Sequence, residues 1–170
     1  MRLKPGFAIV SLSLSVGVAA LTGCLYGFAG GGLPSSIKTV AVLPFDNQTS
    51  EPTLTREIDA AVREAVESRL GLRQAGERQA DALVHGTISR YEPDLPVAYT
   101  GTNQQVTVTR RLVQITVKVE IVNQHSNRTL WERSGLIVKG DYEPGREADG
   151  RRKALDELIT NIVEGAQSQW

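Results

Sequence analysis

The sequence predicts an α+β domain, a two-layer sandwich of a four-stranded mixed sheet with two helices on one face. Three observations lead to this prediction. Short apolar runs of strand length are bounded by turn residues, and two segments carry apolar side chains at spacings of three to four. These segments follow one another in the order β-α-β-β-β-α. Two amphipathic helices on one face of a sheet would bury both apolar stripes, so we expect a single domain over residues 37–170.

The first strand is predicted over residues 37–45, whose nearly continuous apolar run is typical of a strand buried on both faces. Pro44 is expected to end it, and residues 46–50 are expected to form a loop. The first helix is predicted to start at Pro52 and to end before Gly71, where glycine can cap it. Its apolar face comprises Leu54, Ile58, Ala61, Val62, Ala65 and Leu70.

The second strand is predicted over residues 81–92, with a glycine at position 86 in its middle. A glycine inside a strand indicates a bulge or a close approach by another element, here a helix. Pro93 and Pro96 are expected to stop the strand, and a loop is expected to follow through residues 99–103.

Residues 104–122 form the most informative strand. Its apolar side chains occupy even positions before Arg110 and odd positions after Leu112. Because side chains alternate along a strand, such a change of phase requires an extra residue, most simply a β-bulge. The strand is also longer than usual, so its first part is expected to project beyond the sheet.

A polar segment at residues 123–128 predicts a hairpin turn, and the fourth strand is predicted over residues 129–139. Strand alternation places Leu130, Leu136 and Val138 on one face, and Trp131 and Ile137 on the other. The last helix is predicted from about residue 148, with apolar positions Leu155, Leu158, Ile159, Ile162 and Ala166.

The amino terminus predicts a secretory signal peptide over residues 1–23, because a basic start precedes an apolar run at 7–21 that is too short to span a membrane. The LTGC sequence at residues 21–24 resembles a bacterial lipobox, in which the cysteine receives a lipid before cleavage. An ordinary signal peptide with an incidental cysteine is the alternative. Cys24 is the only cysteine, so the chain forms no internal disulfide, and the glycine-rich residues 24–36 are predicted to form a flexible tether.

No catalytic or metal site is predicted. His85 and His125 have no partner at metal-ligand spacing, no serine lies in a Gly-x-Ser-x-Gly motif, and no glycine loop opens a helix. The chain has 19 basic and 19 acidic side chains, a balance that does not favour nucleic acid. We therefore expect a protein that is not an enzyme and has no cofactor apart from the covalent lipid on Cys24.

Three stretches together resemble the LptE family of lipopolysaccharide (LPS)-assembly lipoproteins. They are CLYGF from Cys24, KTVAVLPFDNQT at residues 38–49, and ADALVHGTI at residues 80–88; LWE at residues 130–132 is also similar. The resemblance implies an outer-membrane lipoprotein that plugs and helps assemble the LPS-translocon β-barrel (an LptD-like partner) and assists LPS delivery to the cell surface. Leu25, where inner-membrane retention signals carry Asp, also suggests the outer membrane.

A similar first strand and helix also open lipoproteins of the curli-secretion and peptidoglycan-synthase-activator type, which are the alternative function. The phase change near Arg110 and the LWE hairpin favour the LPS-assembly family. A small periplasmic enzyme is a third alternative.

Two basic clusters are candidate contacts with LPS or with the barrel. Arg110 and Arg111 lie side by side where the strand changes phase, and Arg151, Arg152 and Lys153 lie near the start of the last helix. Cations there oppose the helix dipole, which suggests a compensating contact. Guanidinium groups match phosphate oxygens, and the resemblance implies that the phosphates of lipid A are the anions met. The alternative is that both clusters are solvated or contact acidic residues of the barrel lumen.

Overall fold

The computed structural model describes residues 33–102 and 105–168, without the side chains of residues 102, 105 and 106. The predicted signal peptide, Cys24, most of the tether and Gln104 lie outside the described residues. Two long helices and a six-stranded mixed sheet make up the domain, together with a short 3₁₀ turn at Glu77–Gln79. The strands are β1 (Thr39–Val42), β2 (Asp46–Asn47), β3 (Arg73–Gln74), β4 (Ala82–Thr102), β5 (Gln105–Asn123) and β6 (Arg128–Tyr142), and the helices are α1 (Thr53–Ser68) and α2 (Glu147–Ser168).

The α+β class is confirmed, but the prediction of four strands is wrong. The sheet runs β3-β1-β4-β5-β6, and β2 pairs with β4 beyond the end of β1. β1, β2 and β3 run parallel to their partners, whereas β4, β5 and β6 form an antiparallel meander. β2 and β3 each contain two polar residues, so no apolar pattern marks them, and β2 lies inside the predicted loop. Both exist because a neighbouring strand offers unpaired backbone groups.

Both predicted helices are confirmed, and both pack on the same face of the sheet. Leu54, Ile58 and Val62 of α1 and Leu158 and Ile162 of α2 are almost fully buried. The sheet contributes the odd positions of β5 to this core, namely Val113, Ile115, Val117, Val119 and Ile121. α1 ends where predicted, because Gly71 has a positive φ of 66° and lets the N–H of Leu72 donate to the carbonyl of Val66.

β4 continues to Thr102 through both prolines, so the predicted stop at Pro93 is wrong, and so is the predicted loop over residues 99–102. Residue 103 lies outside the described residues. Register irregularities accompany the prolines, one between Glu92 and Leu95 and another beside Pro96. Beyond Ile88, no described strand pairs with the outer edge of β4. Proline is tolerated at edges and bulges of this kind, since few ladder hydrogen bonds are lost there.

The predicted bulge in β5 is confirmed. Ala98 pairs with Arg110 and Tyr99 with Val108, which leaves Thr109 as the extra residue that changes the phase. β6 accompanies β5 only as far as Arg111, which pairs with Tyr142. Residues 97–102 of β4 and 105–110 of β5 therefore form a two-stranded extension beyond the sheet, here called the distal ribbon.

The prediction that Leu130 and Trp131 of β6 lie on opposite faces of the sheet is wrong. Leu130 and Trp131 are both buried, because Ile121 pairs with Trp131 and Val122 with Thr129, so that Leu130 is an extra, bulged residue. The prediction for Ile137 and Val138 is confirmed, since Ile137 is exposed and Val138 is buried.

Gly86 is a site of close approach, as predicted, but the approaching group is not a helix. The ring of Phe45, between β1 and β2, lies where a β-carbon of residue 86 would be. The glycine thus lets Phe45, which is 3% exposed, seal the helix-covered face of the sheet.

Candidate functional site

The structure gathers three of the predicted basic residues at one end of the domain and places the other two elsewhere. Arg110, Arg152 and Lys153 line a shallow cavity of about 180 Å³, here called the cationic notch. The remaining lining residues are Asp141, Tyr142, Glu143, Arg146 and Asp149.

The notch forms where β5, β6 and α2 meet at the root of the distal ribbon. Arg110 follows directly after the bulged Thr109 of β5, and Asp141 lies at the end of β6. Gly145, with a φ of 88°, turns the chain between β6 and α2. Arg152 and Lys153 then project from the second turn of α2.

Two carboxylates each hold two cations in the notch. Asp141 pairs with Arg110 and with Lys153, whose Nζ lies 2.9 Å from Oδ1 and also donates to the backbone carbonyl of Asp141. Asp149 accepts from Arg146 at 2.7 Å and from Arg152 at 2.9 Å.

This sharing leaves the notch with unused donors. Four cations line it against three carboxylates, the third being Glu143. The side chains of Arg146 and Arg152 are 65% and 70% exposed, so their remaining guanidinium N–H groups face solvent. An arrangement of this kind can bind a phosphate group, because guanidinium forks present parallel donors to its oxygens.

Arg111 does not join the notch. Its guanidinium pairs with Asp94, and this hydrogen bond raises the pKa of Arg111 above its usual value. Arg111 lines a separate depression that includes Tyr142 and Glu147. The hydroxyl of Tyr142 donates to the carbonyl of Pro93, which ties β6 to the irregular part of β4.

Arg151 lies in a network between the two helices and β4. Its guanidinium is 3.0 Å from Glu57 of α1, 2.9 Å from Glu147 and 3.4 Å from the hydroxyl of Tyr91. Tyr91 in turn donates to Glu147 at 2.6 Å, and its burial together with this hydrogen bond raises the pKa of Tyr91 to about 12. A cation at the start of a helix is unfavourable, and for Arg151 the compensating partners are Glu57 and Glu147 of the same chain.

Neither histidine lines the notch, and each lies near a carboxylate. His85 is 3.9 Å from Glu120 on the sheet face opposite the helices. His125 lies 3.1 Å from Asp81, which also accepts hydrogen bonds from the backbone N–H groups of Lys38 and Thr39. These bonds, that from Lys38 above all, hold the pKa of Asp81 well below its usual value. Within residues 33–102 and 105–168, no group of three His, Cys, Asp or Glu side chains is placed to hold a metal ion.

Sequence reasoning missed Arg146, Asp141 and Asp149. The spacing of three residues from Arg146 to Asp149 and from Asp149 to Arg152 is a helical signal that could have indicated the second carboxylate. The position of Asp141 beside Arg110 depends on the β5–β6 register, which the sequence does not reveal.

Comparison with known proteins supports the predicted family. The family model for LptE, described as lipopolysaccharide-assembly, matches residues 37–166. No curated protein sequence matches the chain. None of the described helices is long and apolar enough to cross a membrane.

Several solved structures are similar in fold at low identity. The PelC dodecamer from Paraburkholderia phytofirmans is 15% identical, with 81% of this chain and 95% of that chain covered and a TM-score of 0.49. A hypothetical protein from Chlamydia trachomatis is 10% identical, with coverages of 76% and 98% and a TM-score of 0.48. A minor lipoprotein from Acinetobacter baumannii is 12% identical, with coverages of 76% and 91% and a TM-score of 0.46.

The family match starts two residues before β1 and ends two residues before the end of α2, so it includes every described strand, all of α1 and nearly all of α2. It also contains the whole cationic notch. The chain therefore belongs to the LptE family of lipopolysaccharide-assembly proteins.

Proposed function

We propose that this protein is an outer-membrane lipoprotein that plugs and helps assemble the β-barrel of the LPS translocon, and that it assists LPS delivery to the cell surface. The family match over residues 37–166 is the observation that carries the proposal. The proposed role is one of binding and assembly, and it involves no catalysis.

The anchor in this proposal is a lipid on Cys24, on the periplasmic side of the outer membrane. The LTGC sequence at residues 21–24 and the absence of any other cysteine support it. Acyl chains contribute about 0.8 kcal/mol for each buried CH₂ group, so more than one chain would hold the protein stably on a membrane.

The proposed plug role fits the polar character of the domain surface. All the described charged side chains are at least partly exposed. The sheet face opposite the helices carries Lys118, which lies 3.1 Å from Glu132 and 3.7 Å from Glu120. A surface of paired charges and polar groups is compatible with the polar interior of a large outer-membrane barrel.

The cationic notch is the proposed contact for the phosphates of LPS. Arg110, Arg152 and Lys153 belong to it, and Arg146 adds a fourth cation. A phosphate that enters would compete with Asp141 and Asp149 for donors that these carboxylates only partly occupy. Arg111 and Arg151, which the sequence also suggested, would act indirectly by fixing the ribbon and the start of α2.

Affinity purification from membranes tests the partner. The tagged full chain, extracted in mild detergent, is expected to recover a barrel of the LPS-translocon type together with LPS. Recovery of a curli pore or of a peptidoglycan synthase in its place would favour the alternative class of lipoprotein. The matched control is the Cys24→Ala chain, which separates loss of the anchor from loss of the partner.

A further inference from the structure

A second basic surface lies at the end of the domain where the described chain begins. Lys38 and Arg69 line a cavity of about 290 Å³ there, here called the tether-end pocket. Its apolar lining includes Leu33, Ile37, Leu70 and Leu72.

The tether-end pocket and the cationic notch lie at opposite ends of the sheet. β1 and β4 start, and β5 ends, at the end that carries the tether-end pocket. The notch lies near Arg111, twelve residues before Asn123 at the end of β5. At about 3.3 Å per residue, roughly 40 Å of strand separates the two sites. A ligand held in one site therefore does not occupy the other.

The charges of the tether-end pocket are not neutralised from within. Lys38 and Arg69 are both exposed, and neither pairs with a carboxylate of the described residues. In the cationic notch, by contrast, all four cations are paired. The carboxylate of Asp81 accepts a hydrogen bond from the backbone N–H of Lys38 and so lies close to this surface, but the side-chain cations of Lys38 and Arg69 remain available to an external anion.

Part of the pocket lining is apolar. Ile37 and Leu72 are 4% and 7% exposed and belong to the core, and the partly buried Leu33 and Leu70 pack against it. Exposed cations beside apolar side chains match the boundary of a bilayer, where anionic headgroups lie next to the acyl chains.

The covalent chain places this surface close to the proposed anchor. Eight residues lie between Cys24 and Leu33, and the nine steps from one Cα atom to the next span at most about 30 Å. We propose that the tether-end pocket is a docking surface for anionic phospholipid headgroups of the membrane that holds the anchor. This inference rests on the Cys24 anchor in the proposed function, and it adds a second, electrostatic contact that fixes the orientation of the domain.

Arg69 also has a role within the fold, which must be separated from membrane docking. Arg69 caps the carboxyl end of α1, where a positive charge stabilises the helix dipole. A purely structural role would change the unfolding temperature and leave the preference for headgroups unaltered.

Vesicle binding of the full chain tests the proposal. All variants carry Cys24→Ala, which removes the lipid. The apolar residues 7–21 are present in every variant, so their contribution to vesicle binding is the same in each. Vesicles of phosphatidylcholine alone are compared with vesicles that contain about 30 mol % phosphatidylglycerol, at low salt where screening is weak. The test variant is Lys38→Glu/Arg69→Glu, and the matched control is Arg56→Glu/Arg133→Glu, which reverses two exposed cations elsewhere.

We expect the parent chain to prefer the anionic vesicles by about tenfold or more, given the attraction of each basic residue to such a surface. The test variant should lose that preference, and the control should retain most of it. Equal binding of the parent chain to both vesicles, or an equal loss in both variants, would overturn the proposal.

Two further measurements close the remaining alternatives. In the first, vesicle binding is measured with inorganic phosphate and, separately, with chloride at the same ionic strength. If the preference for anionic vesicles disappears only with phosphate, the pocket is a site for small anions, and the assignment to a lipid surface is overturned.

In the second, the neutral variant Lys38→Gln/Arg69→Gln is examined by thermal unfolding and by vesicle binding. A lower unfolding temperature with an unchanged headgroup preference would leave only the structural role. The assay contains neither the barrel nor LPS, so its failure would leave the proposed function standing.

Discussion

The backbone of Gly165 in α2 lies directly against the indole ring of Trp131 in β6. A β-carbon at position 165 would overlap the ring atoms. This contact lets the helix approach the sheet closely at the end of the domain that also carries the hairpin turn at residues 123–128.

Gly165→Ala should destabilise the domain. Alanine favours helix by up to about 1 kcal/mol over glycine, but the overlap with Trp131 should cost about 1–3 kcal/mol or more, so the net change is a loss. Urea unfolding monitored by circular dichroism measures it. Glu164→Ala, at the exposed neighbouring position, is the control and should change the free energy of unfolding by less than about 0.5 kcal/mol. A Gly165→Ala chain as stable as the parent would show that α2 can move away from Trp131 without cost.

Arg151→Ala should cost more stability than Arg152→Ala, although the two residues are adjacent. Arg151 is 21% exposed and joins Glu57 and Glu147, so its loss leaves partners without a cation and should cost about 1–3 kcal/mol. Arg152 is 70% exposed and pairs with Asp149 alone, so its loss should cost no more than about 1 kcal/mol. Paired denaturant titrations give the comparison; equal losses would contradict the assigned bridge between the helices.

Stability should fall in acid partly through Asp81. Its pKa is lowered in the folded chain, so its contribution is complete above the unfolded pKa of about 3.9 and is lost as the pH falls through the lower folded value. Asp81→Asn should therefore be less stable than the parent at neutral pH, and this difference should shrink below about pH 4. Unfolding titrations across that range measure the difference, and a gap that stays constant with pH would argue against the role of the carboxylate.

Cys24→Ala should abolish acylation and release the protein from membranes. The thiol is the only group in the proposed lipobox that can carry a thioether-linked lipid. Membrane fractionation and the intact mass of the purified chain report the two effects. If both the distribution and the mass are unchanged by the substitution, the protein is not a lipoprotein anchored at this residue.

Arg110→Gln should weaken LPS binding by the purified chain more than Arg111→Gln does. The two variants lose the same charge at adjacent positions, but only Arg110 lines the cationic notch. Removing one charge-assisted phosphate contact should lower affinity by about tenfold, most clearly at low salt. Thermal unfolding of both variants checks that the fold is retained. Equal LPS affinities of the two variants would exclude the notch as the phosphate contact.

Much of the fold could be predicted because its signals are local. Residue spacing alone predicts the apolar stripes of α1 and α2 and the phase change beside Thr109. β2 and β3 could not be found, because Asp46–Asn47 and Arg73–Gln74 become strands only through the backbone groups of their neighbours.

The candidate site was predicted only in part, for a similar reason. Because they are adjacent in sequence, Arg110 was grouped with Arg111 and Arg151 with Arg152. In the structure, the two members of each group form ion pairs with different carboxylates and lie at different sites. The carboxylates Asp141, Asp94 and Glu57 determine that division. Each lies at least 17 residues away from the arginine it holds.

The distal ribbon has an outer edge that no described strand covers, and such an edge is where two copies of a protein can join strand to strand and aggregate. Pro93 and Pro96 stand at the start of this exposed stretch, and neither has an N–H group to donate. The register irregularities beside them further interrupt the row of donors and acceptors that a foreign strand would need. The same prolines that made the strand hard to predict therefore make the uncovered edge of β4 before the ribbon a poor template for pairing with a second copy.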